Sequence, residues 1–199
     1  MKTLNKDNFE EIIKTIHSVC VSISRTKNLR KNNNSNPQDT EAIYRDNIFV
    51  QLNSYPSSFE NFVNCEANNN HGKTDIIIPF KKEKKYIAEC ATLKEKDCGY
   101  KIEKKYKQLI YNTTEKDNKI SLIFFVLKRE FKPNQILEKI EKIIKKQSNN
   151  NNFHNKQIKY KNSDWIIKTR VKQFPEIDFY IHIGVYNFFY DEKYSKIQK

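Results

Sequence analysis

The chain has 199 residues, 37% of them hydrophobic, with 37 Lys and Arg against 24 Asp and Glu and a formal net charge of +13. That length suits one domain with a sizeable core, and three glycines and five prolines exclude collagen-like or loop-dominated structure. The basic balance favours a polyanionic partner, although abundant Lys, Asn and Ile also fit a biased genome that enriches lysine without regard to function.

Residues 7–28 place Phe9, Ile12, Ile13, Ile16 and Val19 at helical spacing, which predicts one or two helices. Residues 30–36, with three consecutive asparagines, read as a solvated linker. Asp39 or Thr40 can cap the next helix, which Ile43, Ile48, Val50 and Leu52 carry to about residue 52. Glu41 falls in its first turn, where the macrodipole favours an acid, with Arg45 one turn on as a partner. Pro56 breaks the chain, and a strand is expected over 59–67 around Phe62 and Val63. Glu66 reads as a surface residue of that strand. Residues 68–72 make a turn, with Gly72 permitting positive φ and His71 exposed to solvent.

Two extended runs follow. Asp75 opens the triplet Ile76-Ile77-Ile78, and Glu89 follows Tyr86-Ile87-Ala88. Strand side chains alternate faces, so an acid in such a run points either to solvent or into a site. Strands paired side by side would let the two acids meet around a divalent metal. Mg²⁺ takes oxygen ligands and needs only one or two carboxylates, because it keeps several waters. The charged stretch 81–85 joins the runs as a solvated hairpin tip. Cys90 reads as a small buried residue facing away from Glu89.

A helix is predicted from Gly99 to about Tyr111, then an apolar strand over 119–126 of the kind covered on both faces. Pro133 starts a helix over 134–146. After an asparagine-rich break at 148–155, strands are expected at 158–160, 165–171 and 177–189. His182 lies on the opposite face from Phe179, Ile181, Ile183 and Val185, and reads as a hydrogen-bonded or exposed histidine. The element order predicts an α/β sandwich around a mixed sheet.

Cys20, Cys65, Cys90 and Cys98 show no CxxC spacing, so reduced thiols in a cytoplasmic protein are expected. No apolar run is long enough to span a bilayer, and the first residues lack the pattern of a signal peptide.

The motif-bearing runs resemble the PD-(D/E)XK nuclease superfamily. Thr40-Glu41-Ala42-Ile43-Tyr44-Arg45-Asp46 and Gln51-Leu52-Asn53-Ser54 are similar to its first helix. Gly72-Lys73-Thr74-Asp75-Ile76 and Ile87-Ala88-Glu89-Cys90 are similar to its two active-site strands. Gln108-Leu109, then Asp117 and Lys119, resemble the following helix and third strand. The resemblance covers roughly residues 38–127. It implies a restriction-endonuclease-like fold: one domain over 1–199, with an N-terminal helical segment and linker at 1–37 and a motif-bearing core at 38–127. A helix and C-terminal strands complete it at 128–199.

The resemblance further implies hydrolysis of phosphodiester bonds, with DNA the expected substrate. Mg²⁺, or Mn²⁺ in its place, would sit on Asp75, Glu89 and the backbone carbonyl of Cys90. Glu41 would be the auxiliary acid of the first helix, with Glu66 a second candidate. Gln108 would orient water or a phosphate, although Asn112 stands where the helix motif has tyrosine. A prokaryotic defence or effector role follows by the same analogy, with a homodimer or a regulatory protein as partner and no membrane association.

One position departs from the pattern. The family's catalytic lysine lies two residues after the second acid, and here that residue is Ala91. Three explanations compete: an introduced inactivating substitution, which is the first reading; a lysine recruited from elsewhere; or a natural domain that binds nucleic acid, or joins a protein assembly, without cutting. Lys73, two residues before Asp75, is the leading replacement. Lys94, Lys104 and Lys105 follow, the last two on the next helix.

Overall fold

The structure is a computed structural model of the chain. It describes residues 8–25, 37–54, 64–69, 72–79, 85–94, 98–128, 132–147, 156–161 and 164–188. For 8, 37–40, 64–69, 72–73, 147 and 156–161 the description covers the backbone alone.

Four helices and seven strands are described: α1 Asn8–Arg25, α2 Pro37–Ser54, β1 Asn64–Asn69, β2 Gly72–Pro79, β3 Lys85–Leu93 and α3 Gly99–Tyr111. Then come β4 Lys119–Val126, α4 Pro133–Gln147, β5 Lys156–Lys161, β6 Asp164–Val171 and β7 Phe174–Asn187. The strands form one mixed sheet in the order β1-β2-β3-β4-β7-β6-β5. The central pairs β3–β4 and β4–β7 are parallel, and the flanking pairs are antiparallel. The parallel pair β3–β4 needs a long crossover, and α3 provides it.

Alternation along the strands sorts the core into two layers. Ile76, Ile78, Ala88, Cys90, Ile123 and Phe125 pack with α1 and with Tyr44, Ile48 and Leu52 of α2. Ile87, Ala91, Leu122, Phe124, Ile181 and Ile183 pack with Ile102, Tyr106 and Leu109 of α3 and with α4. β4 is apolar on both faces because both are covered. Each of its fully buried large side chains contributes about 1.5–3 kcal/mol by leaving water.

The expected α/β architecture is found, with element ends shifted by a few residues. The strand expected at 59–67 is observed as Asn64–Asn69, and residues 55–63 lie outside the described part. α2 begins at Pro37, so Glu41 lies beyond the first turn and the macrodipole argument for its placement falls away. His71, residues 81–84 of the hairpin tip expected at 81–85 and the break at 148–155 lie outside the described residues, while Lys85 is the first residue of β3. Cys20, Cys90 and Cys98 are free and buried. Among the described residues no helix is long and apolar enough to cross a membrane.

Candidate active site at the fork between β2 and β3

The pairing of β2 with β3 runs from Pro79↔Lys85 to Ile76↔Ala88. Beyond that point residues 72–74 of β2 stay paired with β1, while the edge of β3 is held by side chains. Asp75 is the next residue of β2 and Glu89 the next of β3, so the register brings them opposite each other on one face. At this fork, carboxylates take over the ladder. Cys90 N–H donates to Asp75 Oδ2 at 2.8 Å, and Thr92 N–H donates to Glu41 Oε2 at 3.1 Å. The two acids thereby satisfy backbone donors that a continuous β2 would have paired.

Because the strands part here, groups from both helix layers reach the same place. Glu41 comes from α2, on one layer. From α3, on the other, Lys105 Nζ lies 2.8 Å from Asp75 Oδ2, 3.3 Å from Glu89 Oε2 and 3.6 Å from Glu41 Oε1. Lys101 Nζ lies 3.1 Å from Glu41 Oε2 and donates to Thr92 Oγ1 at 3.2 Å. Asn112, which caps the C-terminal end of α3, donates from Nδ2 to Glu89 Oε1 at 3.1 Å. Arg45 of α2 places Nη1 3.7 Å from Asp75 Oδ1 while also holding Asp46.

The electrostatics follow from burial and crowding. Glu89 is 1% exposed. Burial, then the neighbouring Asp75, pushes its carboxyl up to about 8, against the opposing pull of Lys105. Burial disfavours the Lys105 charge, yet Asp75, Glu89 and Glu41 together outweigh that and raise its pKa. Lys105 is therefore a firm ammonium. Burial raises the Cys90 thiol well above its ordinary value, so its side chain is an inert thiol in the α2 layer, facing away from Glu89 as expected.

The expected residues divide clearly. Asp75, Glu89 and Glu41 converge. Cys90 brings its backbone to the fork; its N–H points at Asp75, and in an extended strand the carbonyl of the same residue projects from that same edge. Ala91 is fully buried in the apolar layer beneath α3. Gln108 sits one turn before Asn112, and its carbonyl accepts the Asn112 N–H. The side chains of Lys73 and Glu66 lie outside the described part of β2 and β1. Lys104 is exposed, whereas Lys105, ranked behind Lys73 by sequence spacing, stands among the three carboxylates. The sequence reading missed Lys101 and Asn112 as contributors. Helical spacing was the available signal: residues 101, 105, 108 and 112 share one face.

Among the described residues, no group of three or more His, Cys, Asp and Glu lies close enough to hold one ion. The Lys105 ammonium contacts all three carboxylates, and Glu89 also hydrogen-bonds Asp75 directly. Mg²⁺ needs fewer protein ligands than such a cage supplies. A set of hard carboxylate oxygens around a cation, with Glu89 driven to keep a proton, suits a site built for more positive charge than Lys105 alone provides. Asp75 and Glu89 are hard oxygen donors of the type that a divalent cation takes one or two of.

No family model matches the chain, and neither does any curated protein or solved structure.

A second polar cluster lies between the sheet and α1. Asp164 Oδ1 pairs with His182 Nε2 at 2.9 Å, and Ser121 Oγ with His182 Nδ1 at 2.8 Å. Tyr86 donates to Ser121, Tyr186 donates to Asp164, and His17 of α1 pairs with the other Asp164 oxygen. Serine, histidine and aspartate in this order imitate a nucleophile–base–acid relay. All three are fully buried, however, and the Ser121 oxygen already accepts from Tyr86. The cluster ties α1 to the sheet, and His182 is the hydrogen-bonded histidine expected.

Proposed function

We propose that the chain is a metal-dependent nuclease of the restriction-endonuclease-like type, hydrolysing nucleic-acid phosphodiester bonds, with DNA the first substrate to test. The observation that carries this reading is the convergence of Asp75, Glu89 and Glu41 on the Lys105 ammonium at a sheet fork. Asp75, Glu89 and the Cys90 carbonyl would hold Mg²⁺ or Mn²⁺, with Glu41 beside them. A bound ion of this kind neutralises phosphate charge and makes water a stronger nucleophile.

The chain's own groups do the rest. Lys105 offers a positive hydrogen-bond donor to a phosphate oxygen as charge builds on it. Because its pKa is raised, it acts through charge and donation and leaves proton removal to another group. Lys101 and Arg45 add positive charge on either side. Asn112 holds one Glu89 oxygen, which fixes the direction in which the other points.

On this reading Lys105 takes the place of the lysine that Ala91 lacks, and the chain as written is an active enzyme. That departs from the introduced-substitution reading, because the cation is supplied from α3. The test is cleavage of single- and double-stranded DNA and RNA with Mg²⁺ or Mn²⁺ by the unaltered chain. Expected is cleavage that EDTA abolishes and that Asp75→Asn or Glu89→Gln removes. Binding without cleavage of every substrate in both metals would instead favour the non-catalytic binding domain.

A further inference from the structure

Around α3, three faces separate by helical spacing. Ile102, Tyr106 and Leu109 are buried in the core. Lys101, Lys105 and Asn112 face the carboxylates. Tyr100, Lys104, Lys107 and Tyr111 fall within about 60° of one another on the remaining face, at 3.6 residues per turn. Tyr100 is 75% exposed and Tyr111 58% exposed, and with Val50 they are the large hydrophobic residues exposed among the described part. Lys104 is exposed, and Lys107 is exposed while pairing with Glu103 at 2.7 Å.

We propose that this outer stripe of α3 is a docking track for single-stranded nucleic acid, which delivers an unpaired strand to the fork; the proposal rests on the nuclease reading of that site. Exposed tyrosine rings on a surface helix leave apolar area in water that a stacked base would cover. Lysines between them match the charge of a backbone. In a duplex the base faces are already stacked on each other, so it offers lysines their phosphates but gives tyrosines nothing to cover. An aromatic stripe interleaved with lysine is the chemistry that holds single strands regardless of sequence. The stripe runs about 16 Å between its two tyrosines. It lies on the helix that also carries Lys101 and Lys105, roughly 110° around the axis from the face that meets the carboxylates, and the proposed path runs from the one face to the other.

The test is fluorescence anisotropy with labelled oligothymidylate and with a duplex of equal length, in EDTA so that nothing is cut. Expected is tighter binding of the single strand. Tyr100→Ala and Tyr111→Ala should each weaken it roughly tenfold while leaving duplex affinity within about twofold, since stacking acts on unpaired bases. Both tyrosines are exposed, so circular dichroism should not change. Duplex binding as tight as single-strand binding, or tyrosine variants with undiminished single-strand affinity, overturns the proposal. A change in sedimentation of these variants with single-strand affinity intact would make the stripe a protein-contact face and overturn it equally. Cleavage measured separately with Mg²⁺ keeps the two ideas distinct. Cleavage insensitive to the tyrosines defeats the track alone, whereas tyrosine-dependent binding without cleavage defeats the nuclease reading alone.

Discussion

Ala91 and Lys105 are complementary. Ala91 is buried on β3 in the same apolar layer as Ile102 and Tyr106 of α3, and Lys105, on that same helix, places Nζ 3.3 Å from Oε2 of Glu89, two residues before Ala91. A small side chain at 91 lets α3 lie on the strand, and on the proposed reading α3 supplies the cation through Lys105. Lys105→Met should therefore lower the cleavage rate by about 10²–10³, the typical loss for one transition-state contact. Ala91→Lys should restore nothing. It should destabilise the fold by about 1–3 kcal/mol through overpacking, seen as a lower urea midpoint. Higher activity in Ala91→Lys would contradict this pairing.

Glu89 predicts an unusual pH dependence in the metal-free protein. Its carboxyl is raised from 4.5 to about 8 in the fold. Between those values the folded chain keeps a proton that the unfolded chain has released. Its contribution is complete below pH 4.5 and is lost as pH rises towards 8. Urea unfolding in EDTA should show the wild type losing stability relative to Glu89→Gln across that range. A difference that stays constant with pH would refute the assignment.

On the proposed reading, metal binding is linked to the same proton. A divalent cation competes with it, so Mn²⁺ affinity should fall as pH is lowered from about 8 and binding should release protons. Calorimetry in buffers of different ionisation enthalpy reads that release directly. Binding without proton release would sink the prediction.

Asn112 holds Glu89 in place from the end of α3. Asn112→Ala leaves a buried carboxylate oxygen without that donor, and loss of such an outer partner typically costs about 10–100-fold in metal affinity. The expected signature is weaker Mn²⁺ binding with duplex DNA affinity in EDTA unchanged.

Asp164 has the opposite sign. Burial alone would raise it, but hydrogen bonds from His182, Tyr186 and His17 prevail and hold it at about 2, below its ordinary 3.8. Its stabilisation is present above pH 3.8 and disappears as pH falls towards 2. Asp164→Ala should cost about 3–5 kcal/mol at neutral pH, because it strands buried partners. Acid unfolding curves of the two proteins should converge towards pH 2.

Much of the fold was legible because periodicity reports burial. The β4 run of apolar residues marked a strand covered on both faces, and α4 was bounded by Pro133 and its helical repeat. Asp75 and Glu89 stood out as single acids in apolar strands, a pattern local enough to read without coordinates. Lys73 looked like the best substitute cation because it shares a strand face with Asp75, and spacing along one strand is all that a linear reading can measure.

Composition and alternation by themselves determined an α/β chain with one acid on each of two neighbouring strands; a lysine at position 91 was expected only from the resemblance. The tertiary structure alone decided which cation answers them. β2 joins β3 only from Ile76 onward, and the gap before it admits Glu41 from one helix layer and Lys105 from the other. Such a meeting depends on where strands stop pairing, a property of the assembled sheet that no local run of residues encodes.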